Sequence, residues 1–223
     1  MWGRRAIWAV LGLLVLLTAS VLVVLWAANL LDPGNKGDTT NQLVTPMPAT
    51  NHALVFAVAP DESQVEFVTN VMGLKLTGVF PVQEGSITLV PVSADDWRIQ
   101  VRLDIHVDGV HTGNAQVDAL LRGVMETGDY PLAFYVASSR DLVPVTHEVV
   151  QFVLDGNLQV HNVARPHAMD VTAQWTDGEI WAIAISDLDL ADHDVQMPPL
   201  TGSSVIELTA QLQAYLVDKA TGD

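Results

Sequence analysis

WRIQVRLDIH, residues 97–106, alternates without a break: Trp97, Ile99, Val101, Leu103 and Ile105 are apolar, while Arg98, Gln100, Arg102, Asp104 and His106 are polar. A period of two sends every second side chain to the same face, so this stretch reads as a strand with one side for a core and one for water. The alternation returns at Val150, Phe152 and Leu154, at Val171, Ala173 and Trp175, and along Ile206, Leu208, Ala210, Leu212, Ala214 and Leu216. Asp177-Gly178 is a two-residue hairpin signal, and Asp155-Gly156-Asn157 reads as a turn or a bulge. Roughly eight such segments fit between Phe56 and Val217, with one helix-like interruption at Asn114–Gly123 (NAQVDALLRG). That order favours an all-β fold over an α/β one. Two architectures satisfy it: an eight-stranded antiparallel barrel, of the size that encloses one small ligand, and a sandwich whose two apolar faces pack on each other.

Ahead of the strands, Ala6–Ala28 (AIWAVLGLLVLLTASVLVVLWAA) runs for 23 residues without a charge. At about 1.5 Å per residue a helix of that length spans a hydrocarbon core of about 30 Å. Arg4 and Arg5 precede it and no positive charge follows until Lys36, which places the N-terminus in the cytoplasm, with Trp8 and Trp26 near the two interfaces. Residues 1–31 are therefore expected to be a single-pass transmembrane anchor, with everything beyond outside the membrane. The rival is a cleaved signal peptide using Thr18-Ala19-Ser20, but the apolar run continues well past that site. Residues 32–51, rich in Pro, Gly, Thr and Asn, read as a flexible linker. The β domain is expected over 52–217 and a disordered tail over 218–223.

All 26 acidic residues, but only eight of the ten basic ones, lie beyond residue 31, so the domain repels phosphate backbones and nucleic-acid binding is excluded. The chain has no cysteine, hence no disulfide, thiolate nucleophile or thiolate metal site. It has no Gly-x-Ser-x-Gly elbow, no His-Glu-x-x-His and no glycine-rich phosphate loop, so no catalytic residues are expected. Asp187, Asp189, Asp192 and Asp194 around His193 lack the spacing of a calcium loop and read as a solvated acidic loop. His106 and His111 lack a third partner for zinc. No metal or cofactor is expected.

Two stretches resemble the YceI-like family, the lipocalin-like polyisoprenoid binders of bacteria, which are periplasmic or secreted. His111–Phe134 (HTGNAQVDALLRGVMETGDYPLAF) is similar to that family's Thr-Gly-Asn, Arg-Asp-x-His-Leu-Arg and Tyr-Pro-x-x-x-Phe series. Leu154–Val171 (LDGNLQVHNVARPHAMDV) is similar to its Gly-x-Leu-x-x-His-Gly-x-x-Arg-Pro-x-x-x-x-Val. Weaker agreement runs from DESQVEF to the acidic-then-proline stretch SDLDLADHDVQMPP. The resemblance implies an extended eight-stranded barrel whose tunnel takes a long apolar lipid, a polyisoprenoid or isoprenoid quinone, with no catalysis. It also implies a bacterial cytoplasmic membrane as the site of the anchor, and a possible homodimer. A filled barrel serving as a structural or protein-binding module is the alternative. Thr112, Gly113, Asn114, Asp118 and Arg122 match the first motif, where Val117 and Leu120 replace its Arg and His. His161, Arg165 and Pro166 match the second, where Asn162 stands for its Gly.

Phe67, Trp97, Phe134, Phe152 and Trp175 are the residues expected to line or border the tunnel, with Arg165 as the first to meet a polar head group. Asp118 and Arg122, four apart on the helical stretch, are expected to pair with each other and pin it to the barrel. His161 is expected to be a hydrogen-bonded structural residue. Val117 and Leu120, in place of two polar residues of the family's network, imply a more apolar pocket or a different head group.

Overall fold

WRIQVRLDIH is the body of strand β4 (Asp96–His106) in a computed structural model that describes residues 52–71, 73–144, 146–176, 178–196 and 203–217. Its five apolar side chains are all buried. β4 is one stave of a closed, all-antiparallel barrel. The ring runs β2 (Gln64–Val71), β3 (Leu74–Pro91), β4, β5 (Leu132–Ser139), β7 (Val150–Val160), β8 (Val163–Thr176), β9 (Glu179–Asp189) and β10 (Val205–Leu216), which pairs back onto β2. β1 (Leu54–Val58) extends the β2 stave downward beyond a 3-10 turn at Pro60–Glu62, pairing with β3 and β10. β6 (Val143–Pro144) is a short strip on the foot of β4. Closure decides between barrel and sandwich, and removes the sheet edges that would otherwise need protection.

The upper end carries the β2–β3 hairpin, the β7–β8 turn, a 3-10 turn at Leu190–His193 and helix α1 (Ala115–Val124); the lower end carries the turn at Gly178 and the entry of the domain at His52. α1 begins where Asn114 accepts from the backbone N–H groups of Gln116 and Val117, an N-cap that fixes its first turn. The segment leading into it is held by a backbone bridge between Val79 and His111. β7 and β8 join through His161 and Asn162, both left-handed at φ of 50° and 61°. A two-residue turn of this kind requires positive φ twice, which is the reason a Gly suits the place of Asn162 and why Asn, the next most tolerant residue, serves.

Asp155-Gly156-Asn157 is neither turn nor bulge: the register of β7 with both β5 and β8 runs through it unbroken. A Cβ on Gly156 would stand 2.3 Å from the Val136 carbonyl oxygen. The glycine marks a close approach of two backbones inside a strand, a use that shares its residue type with turns. The expected anchor (1–31), linker (32–51) and tail (218–223) lie outside the described residues. Among the described residues no helix is long and apolar enough to cross a membrane.

Candidate ligand-binding site

The inward rows of the staves are mostly apolar, with Thr69, Ser139, Arg165, His167 and Ser186 as the exceptions, and two small cavities lie along them. The upper, about 70 Å³, lies beneath α1, whose Leu121 and Val124 face it together with Phe67, Ile105, Leu158 and Leu188. The rings of Phe67 and Phe80 meet there with centroids 5.0 Å apart. Thr69 is the polar residue of its lining, and its hydroxyl has no hydrogen-bond partner among the described residues. The lower cavity, about 30 Å³, is bounded by Tyr135, Phe152, Leu154, Met169 and Trp175. The phenol of Tyr135 donates to the His167 carbonyl at 3.4 Å, and burial pushes its ionisation above the ordinary tyrosine range.

Of the five aromatic residues expected at a tunnel, Phe67 sits on the upper cavity, and Phe152 and Trp175 on the lower. Trp97 is buried at the lower end and lines neither; its indole N–H and that of Trp175 have no partner among the described residues. Phe134 is on the wrong face. Its ladder partners are Asp104 and Gln159 on the outward rows of β4 and β7, while Ala133, Tyr135 and Ala137 take the inward positions of β5. The parity of β5 was concealed because its outward residues are large and apolar and two of its inward ones are alanine.

The polar motif residues form a clamp on α1. Asp118, buried, accepts from the Thr112 backbone N–H at 2.7 Å and from its hydroxyl at 2.6 Å, with His111 Nδ1 3.4 Å from the second oxygen. The Thr112 hydroxyl above all holds this carboxyl below its usual range, against the opposing effect of burial. Arg122 does not pair with Asp118. Its guanidinium turns to the segment before the helix and donates to the carbonyls of Asp108 (2.8 Å) and Val110 (3.3 Å), since Asp118 is already satisfied by Thr112. Both residues pin the helix, each to its own partner. Leu120 is exposed and Val117 half-buried, and neither lines the upper or the lower cavity.

His161 meets Glu126 at 2.9 Å and packs at a tilt against Tyr130, ring centroids 4.2 Å apart, tying the β7–β8 turn to the chain after α1. Arg165 is exposed, and its Nε donates to the Asp192 carbonyl. In the acidic loop Asp189 caps the 3-10 turn by accepting from Ala191; the Ser204 hydroxyl and then this N–H hold it below the ordinary carboxylate range. Among the described residues no three His, Asp or Glu side chains are placed to share a metal ion. His167 and Ser186, 2.9 Å apart, lie in the same region as the buried His193 of the acidic cluster, and no sequence pattern pointed to the first two.

A closed eight-stranded antiparallel barrel with a mostly apolar interior and one helix at its upper end is a barrel of lipocalin-like architecture. The chain belongs to the YceI-like family, whose domain matches residues 56–216. Among solved structures it is similar to a polyisoprenoid binding domain from Saccharophagus degradans implicated in plant cell wall breakdown, at 16% identity over 74% of this chain and 99% of that one, TM-score 0.56. It is also similar to BcnA of Burkholderia cenocepacia, at 18% identity over 70% and 98% of the two chains, TM-score 0.53. At these identities they speak to the fold. No curated protein matches the sequence.

Proposed function

We propose that the domain is a binding protein rather than an enzyme, and that it carries a long apolar lipid, a polyisoprenoid or isoprenoid quinone, along the axis of its barrel. The observation that carries this reading is the apolar core along the barrel axis, with cavities at two heights lined almost wholly by apolar side chains. The Saccharophagus degradans neighbour, named for polyisoprenoid binding, supports the same class of ligand. Each methylene moved from water into such an interior is worth about 0.8 kcal/mol, so several isoprene units hold firmly without a polar contact. In this account residues 6–28 tether the domain to a bacterial cytoplasmic membrane, with the barrel outside, beside its source of lipid.

The filled-barrel alternative has one observation in its favour: an engineered apolar cavity that takes a single benzene measures roughly 150 Å³, and each void here is smaller. The lipid reading therefore requires the barrel to open and side chains to move aside. A paired substitution separates the two. Phe152→Asp, at the lower cavity, should abolish quenching of the chain's tryptophans by added isoprenoid quinone. Phe134→Asp, on the outer face, should leave the quenching as in the parent. Equal quenching in both variants, or none in the parent, would favour the filled barrel. We also propose that two copies pair through the outer face of β9, where Trp181, Ile183 and Ile185 are exposed.

A further inference from the structure

β8 and β9 are hydrogen-bonded neighbours only in their lower halves. Their ladder runs from Thr176↔Glu179 up to Asp170↔Ile185 and stops there. Above it, Val163–Met169 of β8 remain paired to β7, and Ser186–Asp189 of β9 remain paired to β10, but the two staves make no ladder with each other. Seven residues of β8 and four of β9 are thus without a ladder partner in the other strand. At the upper end of β3, above its ladder with β4, the Val79–His111 bridge gives the wall a backbone contact. Pro166 stands in the unpaired part of β8 and has no N–H to give a neighbour, a local reason for the ladder to fail.

The result is a window in the wall, framed below by the last ladder pair and above by the 3-10 turn Leu190–His193. Side chains alone span it. His167 Nε2 and Ser186 Oγ meet at 2.9 Å across the middle; His193 Nδ1 meets the Val163 carbonyl at 2.8 Å, and Arg165 donates to the Asp192 carbonyl at 3.0 Å, at the upper corner. Arg165 and His167 occupy inward positions of β8, opposite Leu158 and Gly156, yet the first is exposed and the second half-buried, as on a strand that leaves the wall. Directly behind lie Leu158 and Leu188 of the upper cavity and Met169 of the lower. The window thus opens at the height where the two cavities approach each other.

We propose that an apolar chain enters and leaves the barrel sideways, by parting β8 from β9 at this window, with the His167–Ser186 hydrogen bond as its latch. The proposal rests on the lipid-binding reading above. Parting the staves here breaks no backbone ladder, whereas entry through any fully paired stretch would expose a row of unsatisfied N–H and C=O groups. It also supplies the expansion that two small cavities need before they can hold a long chain.

The chain's lack of cysteine makes the test clean. His167→Cys/Ser186→Cys places two thiols across the latch, to be bridged by a short bifunctional bimane in the full chain held in detergent. A control pair, Thr172→Cys/Ile183→Cys, bridges ladder partners below the window. Uptake of a pyrene-labelled prenol is then followed with time. The parent and the bridged control should load alike, the bridged latch variant should lose uptake, and the same variant before bridging should load. Ser186→Ala, which removes the latch without a bridge, should load faster than the parent. A bridged latch variant that loads at the parent's rate, or a Ser186→Ala chain no faster than the parent, overturns the side entry while leaving lipid binding intact. A parent that takes up no prenol overturns the lipid reading, and the window's role with it.

Discussion

Asp118 and His167 show how single groups couple this fold to pH. Asp118 has its carboxyl held below the usual range by the Thr112 hydroxyl, so it stabilises the folded chain above the ordinary carboxylate value of about 3.9, and that stability is lost as pH falls through the folded value. His167 has its ionisation lowered by burial and by His193, so the unfolded chain binds its proton first. Stability from this group is present above about 6.5 and declines as pH falls from there toward the folded value. Urea midpoints measured down a pH series should therefore fall in two stages, with His167→Gln flattening the first and Asp118→Asn the second. A parent profile level from pH 7 to 4.5 would contradict the role given to His167. The Asp118 clamp was partly readable, because Asn114 and Asp118 stand in a motif and a helix start; that Arg122 turns away was not, because i, i+4 spacing supplies a possible partner without showing that the carboxylate is already occupied.

Strands were readable wherever both faces declared themselves. β4 alternates apolar with charged or amide side chains, so its parity follows from the sequence, and the buried row is the expected one. β5 concealed its parity behind Phe134 and Val136 on the outside, and β7 carried Gly156, which serves close packing as readily as a turn. β9 is apolar on both faces from Ile180 to Ile185. Its outer residues Trp181 and Ile183 are flanked by Gln174 and Thr172 on β8 and by Gln213 and Gln211 on β10, a strip without charge on a strongly acidic protein. Two copies of such a protein repel each other wherever carboxylates meet, so this strip is the face on which they can approach. Ile183→Asp should leave stability within about 0.5 kcal/mol, since the site is exposed. It should also convert any concentration-dependent dimer seen by sedimentation into monomer; a dimer that survives the change would place the contact elsewhere.

The whole chain divides in its sequence into an apolar leader, a polar linker and one barrel, and periodicity alone left barrel and sandwich level. Ladder closure settles that choice, since closure depends on which strands meet, and an alternating pattern does not encode its neighbours. Whether inward residues line a space or fill it is equally hidden from parity, because Val65 on the upper cavity and Val82, buried away from both cavities, look the same. The proposed anchor makes its own prediction: the intact protein should stay with membranes through salt and alkali, dissolve in detergent, and keep Met1 or Trp2 at its N-terminus. A mature chain beginning near Val21 or Asn29 would remove the tether and leave the barrel unaffected. The claim on which everything else depends is that the barrel holds a lipid. Purified from bacterial membranes, extracted with organic solvent and analysed by mass spectrometry, the protein should release a prenyl or quinone lipid in near-stoichiometric amount, and Phe152→Asp prepared in parallel should release little. Repeated preparations that release no such lipid from the parent, or the same amount from both, would contradict the account.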